Sequence, residues 1–369
     1  MSRVNIVYSD EFLRYYFGSS HPLQQIRVKM AVELIERHGL KELGVSIVQP
    51  RTASREELLL FHTEEYLRFV EKMSEKGEGL LDMGDTPAFK GCYEASALIA
   101  GGTLKAIEEV LKGRADHSIN FAGGLHHAHP DSASGFCIFN DAAIAIAYLL
   151  EKEGFKRVLY LDIDAHHGDG VMYGFYKDPR LLDIDFHENG RYLFPGTGFP
   201  EENGSGDGEG FKINIPLPPF AGDDAFLYAF RTIVPKLVRA YSPEYIIMQF
   251  GADGYHADPL THLNYTTKSY IEAARIIHAL AHELCDGRLT VLGGGGYSIK
   301  DTARIWTIAT AIILGDRQVP SKLEDKTTLK SSASIMAETS LVVNTALNKS
   351  FTGLSKQPPS PKEEEEKPS

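Results

Sequence analysis

Residues 158–170 read Val-Leu-Tyr-Leu-Asp-Ile-Asp-Ala-His-His-Gly-Asp-Gly, an apolar run that ends in a cluster of acids and histidines. Alternate side chains of a strand point to the same face, so Asp162, Asp164 and His166 should face the same way where this strand ends. A single Asp-x-Asp would more often be a polar turn that caps a strand. The added His-His pair and Gly-Asp-Gly favour metal chemistry instead.

The pattern on both sides of that stretch predicts an α/β fold, because short apolar runs alternate with longer segments of helical periodicity. The strand candidates are residues 4–8, 118–122, 158–162, 182–186, 212–215, 245–250 and 289–292. The helix candidates are residues 26–38, 94–111, 142–152, 225–240, 269–284 and 302–314. Apolar strands separated by helices indicate a mainly parallel sheet that is covered by helices on both faces.

The composition is typical of a soluble globular protein. The net charge of −12 leaves little basic surface for phosphates, so we expect no direct nucleic-acid binding, although an acidic surface attracts cationic substrates. The chain shows no signal peptide and no apolar stretch long enough to span a bilayer. Its three cysteines share no metal or redox spacing and are expected to be reduced thiols. These features predict a cytoplasmic protein without a membrane partner.

Domain organisation follows from the same pattern. No linker or internal repeat interrupts the first part of the chain, so we expect one catalytic domain over residues 1–318. Residues 319–369 form a weakly patterned extension. Its end is rich in proline and glutamate, which predicts a disordered acidic tail.

Four predicted strands end in reactive or rigid sequence. These endings are Gly-Gly-Leu-His-His at 123–127, the Asp/His cluster at 162–170, Gly-Ala-Asp-Gly at 251–254 and four glycines followed by a tyrosine at 293–297. Ligands of an open parallel sheet lie beyond the carboxyl ends of its strands. The four endings together therefore predict the rim of an active site.

Asp164, His166 and the remote Asp253 are the predicted ligands of a divalent metal ion, a set that leaves room for water. Two carboxylates and one imidazole suit Zn²⁺, with Fe²⁺ and Mn²⁺ as alternatives. Asp162 lies one strand position deeper and is better placed to orient a histidine.

The adjacent His126 and His127 are too cramped to share that metal ion. We interpret them as proton carriers, each held in one tautomer by a carboxylate, for which Asp162 and Asp169 are available. A purely structural role in the core is the alternative for either histidine.

Tyr297 ends the glycine run at 293–296, where its hydroxyl could stabilise an oxyanion. A phosphate-binding loop is the rival interpretation, but the Gly-Lys-Ser/Thr pattern is absent from the run. Phe136 and Phe194 lie in glycine-containing loops and are either walls of an apolar channel or core residues.

These motifs resemble, in order, those of the zinc-dependent histone deacetylases and their prokaryotic relatives, including the acetoin-utilisation deacetylases. The resemblance covers about residues 8–314 and rests on five ordered motifs. They are Gly-Gly-x-His-His-Ala followed by Ser-Gly-Phe-Cys-x-Phe-Asn-Asp, then Asp-x-Asp-x-His-His-Gly-Asp-Gly-Val, Phe-Pro-Gly-Thr-Gly, Gly-Ala-Asp and Gly-Gly-Gly-Gly-Tyr. It implies an arginase/deacetylase-type, three-layer α/β fold with an eight-stranded, mainly parallel sheet.

The resemblance also implies a role for each matching residue. The catalytic machinery would comprise zinc ligands Asp164, His166 and Asp253, catalytic histidines His126 and His127 backed by Asp162 and Asp169, and the transition-state residue Tyr297. Substrate would contact the rim residues Asp85 and Leu260, the tunnel residues Gly135, Phe136 and Phe194, and Arg27 in an acetate channel. A structural K⁺ or Na⁺ would be held at Asp162, Asp164, His166, Asp185 and Phe186.

Two positions depart from the family pattern. Leu125 stands where many eukaryotic members have tryptophan, which predicts a wider floor of the acyl pocket, and Asp185 stands where serine is common. Leu260 matches a position that is apolar in lysine deacetylases and acidic in relatives that act on acetylpolyamines.

The predicted function is a zinc-dependent amidohydrolase that removes acetyl groups from lysine side chains of proteins, with a link to acetoin or acetate metabolism. The first alternative is hydrolysis of a small N-acetylated amine, such as an acetylpolyamine. The second is a non-catalytic acyl-lysine binding module, against which the intact Tyr297, His127 and metal ligands speak.

Overall fold

One parallel sheet runs through the computed structural model, which describes residues 1–361. Its strands are β1 (Val4–Val7), β2 (Val45–Val48), β3 (His117–Asn120), β4 (Val158–Asp162), β5 (Leu181–Glu188), β6 (Lys212–Leu217), β7 (Tyr245–Gln249) and β8 (Leu289–Leu292). Their order across the sheet is β2-β1-β3-β8-β7-β4-β5-β6, with every pairing parallel. The eight-stranded parallel sheet is confirmed.

Twelve α-helices accompany the sheet in the described part of the chain. They are α1 (Ile26–Arg37), α2 (Leu40–Leu43), α3 (Arg55–Leu58), α4 (Glu64–Lys76), α5 (Cys92–Leu111), α6 (Asp141–Ala147), α7 (Asp169–Gly174), α8 (Asp223–Tyr241), α9 (Thr267–Leu284), α10 (Ile299–Leu314), α11 (Gln318–Leu323) and α12 (Ala333–Lys349). The helix predicted over residues 142–152 changes at Tyr148 from α to π geometry.

The helices form two rows. In one row α1, α10, α9, α8 and α12 pack successively, and in the other α4, α5, α6 and α7 do. Strand β4 contributes to two separate cores, since Val158 and Tyr160 pack with α6 whereas Leu159 and Leu161 pack in the core that contains α8 and α9. Burial on both faces explains why the central strands are continuously apolar in sequence.

The residue pattern did not predict strand β2 or the helices α2, α3, α4, α7, α11 and α12. Strand β2 lies at the edge of the sheet, and Val45 is its one buried residue, so its pattern is weak. Helix α12 packs against β6 and α8, and Phe351 beyond it stacks on Phe211 with ring centroids 5.0 Å apart. Its apolar residues are interrupted by threonine and serine, so packing rather than a clear stripe stabilises it.

The C-terminal extension is therefore partly helical. That the catalytic domain ends at residue 318 stays a prediction. The predicted disordered tail lies largely outside the described residues, because residues 362–369 are not among them. Within residues 1–361, no helix combines the length and the apolarity that crossing a membrane would require.

Candidate active site

Four neighbouring strands deliver the predicted site residues to one edge of the sheet. Strands β3, β8, β7 and β4 are adjacent in that order, and the segments beyond their carboxyl ends carry the four endings that the sequence analysis singled out. Asp162 pairs in register with Gln249 of β7, so these strands end level with one another. The chain order gives no hint of this adjacency, because β8 is inserted between β3 and β7.

Asp164, His166 and Asp253 come together as one buried group that could hold a metal ion, the metal group. The His166 Nδ1 atom lies 2.8 Å from Asp253 Oδ2 and 3.2 Å from Asp164 Oδ1. Their ligand atoms all lie within 4.8 Å of one another. Backbone N–H groups orient the two carboxylates: Ala165 donates to Asp253 Oδ1 at 2.8 Å, and Gly295 donates to Asp164 Oδ2 at 2.5 Å.

The electrostatics of this group fit a divalent cation. Burial and the neighbouring Asp164 raise the pKa of Asp253 to about 7. Burial opposes the charge of His166, but its hydrogen bonds to Asp164 and Asp253 outweigh that effect and raise its pKa to about 10. Two buried carboxylates thus hold a proton on the imidazole in place of a cation, and an ion with carboxylate and imidazole ligands would neutralise the same charge.

The glycine run at 293–296 is explained by the close approach of its backbone to these ligands. A Cβ atom on Gly295 would lie 2.1 Å from Asp253 Oδ2 and 2.8 Å from Asp164 Oδ2. Any side chain there would displace both carboxylates. The run therefore shapes the metal group and is not a phosphate-binding loop.

Each member of the histidine pair contacts its own carboxylate. His126 Nδ1 lies 2.8 Å from Asp162 Oδ2, and His127 Nδ1 lies 2.7 Å from Asp169 Oδ1. The two Nε2 atoms are 3.1 Å apart. An Nδ1–H that donates to a carboxylate leaves Nε2 as the reactive nitrogen.

The surroundings of His127 and Asp169 keep the imidazole neutral and the carboxylate ionised. Burial, together with the adjacent His126, lowers the pKa of His127 to about 4 in spite of Asp169. Burial would raise the pKa of Asp169, but hydrogen bonds from His127 and His129 outweigh it and lower that pKa. At neutral pH a neutral imidazole therefore faces the site, with a carboxylate behind it.

Asn140 and Asp141 fix the loop that carries both histidines, a role that the sequence analysis did not assign. The Asn140 side-chain amide donates to the carbonyls of His126 and Ala128 at 3.1 and 2.9 Å. The Asp141 carboxylate accepts from the N–H groups of Gly124 and Leu125. Both belong to the quoted Phe-Asn-Asp motif, which was the available signal.

Tyr297 lines the inner cavity beside the metal group. Its ring centroid lies 6.3 Å from that of His166 and 6.0 Å from that of Phe136. Burial and the nearby carboxylates Asp253 and Asp164 keep the pKa of its hydroxyl well above the usual value, so the group stays a hydrogen-bond donor. No other described residue hydrogen-bonds this hydroxyl, which leaves it free for a ligand.

Asp258 holds the backbone of Tyr297 and is a further residue whose role was not predicted from the sequence. Its Oδ2 atom accepts from the Tyr297 N–H at 2.7 Å and from the Ser298 N–H at 3.3 Å. Burial raises the pKa of Asp258 to about 6. The surrounding Ala-Asp-Pro sequence gives no sign that this carboxylate reaches the glycine run.

Two cavities lead towards the metal group, and Gly135 lines both. The inner cavity is small, about 20 Å³. It is lined by Leu23, Gly124, Leu125, His126, His127, Gly135, Phe136, Cys137, Asp164, Gly294, Gly295 and Tyr297. The outer cavity is about 380 Å³, and its walls include Asp85 and Phe194.

Gly135 brings its backbone close to the His127 ring. Its φ is +53°, and a Cβ atom there would lie 2.6 Å from the His127 ring and 2.8 Å from the Phe194 ring. Phe194 is 43% exposed and packs edge-on against His127, with centroids 5.1 Å apart. Phe136 is held through its carbonyl by the Tyr15 hydroxyl.

The remaining predicted residues lie at varying distances from this centre. Asp85 is an exposed residue that lines the outer cavity. Partial desolvation of its carboxyl and the neighbouring Asp82 raise its pKa to about 6. Arg27 is buried and donates to the Gly296 carbonyl at 2.8 Å, next to the tyrosine loop. Half-buried Leu260 is not among the lining residues of either cavity in the described part of the chain.

Asp162 and Asp185 pair in register on β4 and β5, and both carboxylates approach Gly168. The Asp185 carboxylate accepts from the Gly168 N–H at 2.7 Å and contacts His187 Nδ1 at 2.6 Å. Phe186 follows directly on β5.

The comparisons with known proteins agree with this architecture. The histone deacetylase domain matches residues 21–313. The acetoin utilization protein AcuC of Bacillus subtilis (strain 168) is 46% identical over 312 residues, which cover 81% of this chain and 80% of that protein. AcuC of Staphylococcus xylosus is 36% identical, with 87% and 85% covered, and AcuC of Staphylococcus aureus (strain MRSA252) is 39% identical, with 83% and 80% covered. The chain thus belongs to the histone deacetylase family and is a hydrolytic deacetylase.

Proposed function

We propose that this deacetylase hydrolyses the acetyl amide of acetylated lysine side chains, with Zn²⁺ held by Asp164, His166 and Asp253. The observation that carries the proposal is the meeting of three features around one inner cavity. A buried carboxylate–imidazole group, a carboxylate-backed histidine pair and an unpartnered tyrosine hydroxyl all border it. Such a set serves an amide carbonyl that becomes an oxyanion during hydrolysis.

The bound ion would act as a Lewis acid on the carbonyl and lower the pKa of water. Neutral His127 accepts a proton at Nε2 while Asp169 stabilises the resulting imidazolium, and the same histidine then protonates the leaving amine. His126, backed by Asp162, acts as its electrostatic partner 3.1 Å away. Tyr297 donates its hydroxyl hydrogen to the oxyanion.

The shape of the approach favours a thin, apolar side chain with a short acyl group. Phe136 and Phe194 flank Gly135, where the absence of a side chain keeps the passage open. The inner cavity, of about 20 Å³, is small and therefore favours a short acyl group over a long one. A four-carbon lysine stem with an acetyl cap suits this passage, and Asp85 at the mouth would accept hydrogen bonds from the substrate backbone.

A small N-acetylated amine, such as an acetylpolyamine, is the second candidate substrate. One observation favours it: Asp82 and Asp85 line the outer cavity, and carboxylates there attract a second cationic nitrogen. The family resemblance places Leu260 at the rim. A leucine there offers only apolar contact to a cationic polyamine, which favours the peptide as substrate.

Steady-state kinetics on an acetyl-lysine peptide, beside acetylspermidine and acetylputrescine at equal ionic strength, distinguishes the two candidates. We expect a higher kcat/KM for the peptide. A preference for either polyamine would overturn the lysine assignment and establish the second candidate.

We further propose cytoplasmic action in acetoin utilisation, the process named for the matched relatives. Three free, buried cysteines fit a reducing compartment. We also propose a structural K⁺ or Na⁺ near Asp162, Asp164, His166, Asp185 and Phe186. Burial and the neighbouring Asp185 raise the pKa of Asp162 well above its usual value, a repulsion that a monovalent cation would relieve.

A further inference from the structure

A second group of histidines lies at the opposite edge of the sheet from the candidate active site. His117 is the first residue of β3, whereas the active-site loops follow the carboxyl ends of the strands. His278 and His282 lie one turn apart near the end of α9. None of the three lies in a motif that predicts a site from the sequence.

The three imidazoles converge on one point through the same ring atom. His117 Nε2 lies 3.1 Å from His278 Nε2 and 3.1 Å from His282 Nε2, and the latter two atoms are 3.0 Å apart. The ring centroids are 4.7 to 4.9 Å apart, and the ring planes cross at 77 to 84°. The rings are therefore arranged like the blades of a propeller, with the Nε2 atoms at its hub.

Hydrogen bonds among the rings cannot satisfy this arrangement. His117 Nδ1 lies 2.7 Å from the Gly287 carbonyl oxygen, to which its N–H donates, so a neutral His117 presents a lone pair at Nε2. Each Nε2 carries either one hydrogen or one lone pair in the ring plane. Among three such atoms in mutual contact, at least one pair must therefore place two hydrogens or two lone pairs against each other.

A metal ion at the hub would accept all three lone pairs. With Zn–N bonds of about 2.0–2.1 Å, an ideal tetrahedron separates its nitrogen ligands by about 3.3 Å, close to the 3.0–3.1 Å found here. The ion would sit about 1 Å above the plane of the three nitrogens, with a fourth position facing away from them.

We propose that His117, His278 and His282 form a second metal site, which binds a borderline divalent ion such as Zn²⁺, Ni²⁺, Cu²⁺ or Co²⁺ through three imidazole nitrogens and one water molecule. An all-imidazole set selects these ions over Mg²⁺ and Ca²⁺. The site is independent of the deacetylase centre, which lies at the other edge of the sheet.

The surroundings are suited to an ion. Gly287 leaves space at the rings, since a Cβ atom there would lie 3.3 Å from both His117 and His282.

Exposure allows the ion to enter from one side. His117 is fully buried, His278 is half-buried and His282 is exposed. A cavity of about 550 Å³ adjoins His278. A bound ion would join the end of α9 to the start of β3, and because it binds only the folded chain it would stabilise the fold.

The test counts metal ions in the full-length protein. Chelator-stripped protein is loaded with excess Zn²⁺, desalted and measured by mass spectrometry of the metal. We expect about two Zn²⁺ per wild-type chain and about one in His282→Ala and His278→Gln, with kcat/KM on an acetylated substrate unchanged within about twofold. His38→Ala, which removes a histidine from the end of α1, should keep two.

Co²⁺ titration gives an independent readout, because tetrahedral Co²⁺ with nitrogen ligands absorbs in the visible range. Wild type and Asp253→Ala should both bind one equivalent of Co²⁺ at the three histidines with this absorption. His282→Ala should lack that equivalent. His282 is exposed, so its loss should not prevent folding, which circular dichroism checks. Equal metal content in wild type, His282→Ala and His278→Gln would overturn the site, whatever happens to deacetylase activity.

Discussion

Removal of the Tyr297 hydroxyl isolates the contribution of one group to catalysis. The hydroxyl makes no hydrogen bond to another described residue, so Tyr297→Phe removes no bond that the fold uses. The ring contacts with Phe136 and His166 persist in the variant. The unfolding temperature and the metal content should therefore remain unchanged.

The catalytic cost should be large by comparison. Loss of one donor to a developing oxyanion lowers kcat by roughly 10²–10³-fold, about 2.7–4 kcal/mol of transition-state stabilisation. KM should change much less, because the negative charge on the carbonyl oxygen develops mainly in the transition state. The assay is steady-state acetate release from an acetyl-lysine peptide, with protein and metal concentrations measured for each variant.

Tyr265→Phe is the matched control. The Tyr265 hydroxyl likewise lacks a partner among the described residues, but this tyrosine is buried in the core, whereas Tyr297 is partly buried and lines the inner cavity. Its kcat should fall by less than about threefold. A wild-type kcat in Tyr297→Phe, or equal losses in the two variants, would refute the role assigned to the Tyr297 hydroxyl.

Three further predictions concern the base, the channel and the substrate. Burial and His126 lower the pKa of His127 from its usual 6.5 to about 4, so the neutral base is lost only as the pH falls through about 4. The acid limb of kcat/KM, measured at saturating Zn²⁺, should therefore lie near pH 4, and a limb at 6.5 would contradict the role of His127 as base. Gly135→Ala places a methyl group 2.6 Å from the His127 ring, so kcat/KM should fall at least about tenfold, with a much smaller effect on the unfolding temperature. Full activity in this variant would contradict the close contact. Leu260→Glu should raise kcat/KM for acetylspermidine relative to the peptide, and an unchanged ratio would remove Leu260 from the rim.

The sequence predicted the central strands and the meeting of their ends because both depend on local signals. β4 is continuously apolar since it is buried on both faces, and polar residues begin where it ends. Parallel pairing then brings separate loops to one edge, which makes Asp253 a neighbour of Asp164 although the chain separates them widely.

The features that sequence analysis missed depend on tertiary contacts. Strand β2 is short and half-exposed, so it carries no alternating pattern, and α12 is stabilised by packing on β6 and α8. Asp258 acts on Tyr297 through backbone N–H groups, a contact that no spacing rule predicts. His117 is remote in sequence from His278 and His282, and the pairing of β3 with β8 brings these parts of the chain together.

We propose that hydrolysis of acetyl-lysine requires a divalent ion held by Asp164, His166 and Asp253. The most direct measurement follows acetate release by chelator-stripped protein before and after addition of one equivalent of Zn²⁺, in the His282→Ala background so that the second histidine group does not compete. We predict no turnover without metal, recovery with Zn²⁺, and no recovery in the same protein carrying Asp253→Ala, because a site that has lost one of three protein ligands seldom retains the ion. Full turnover by the stripped protein, or recovery in the Asp253→Ala protein equal to that of its parent, would show that this ion is not required.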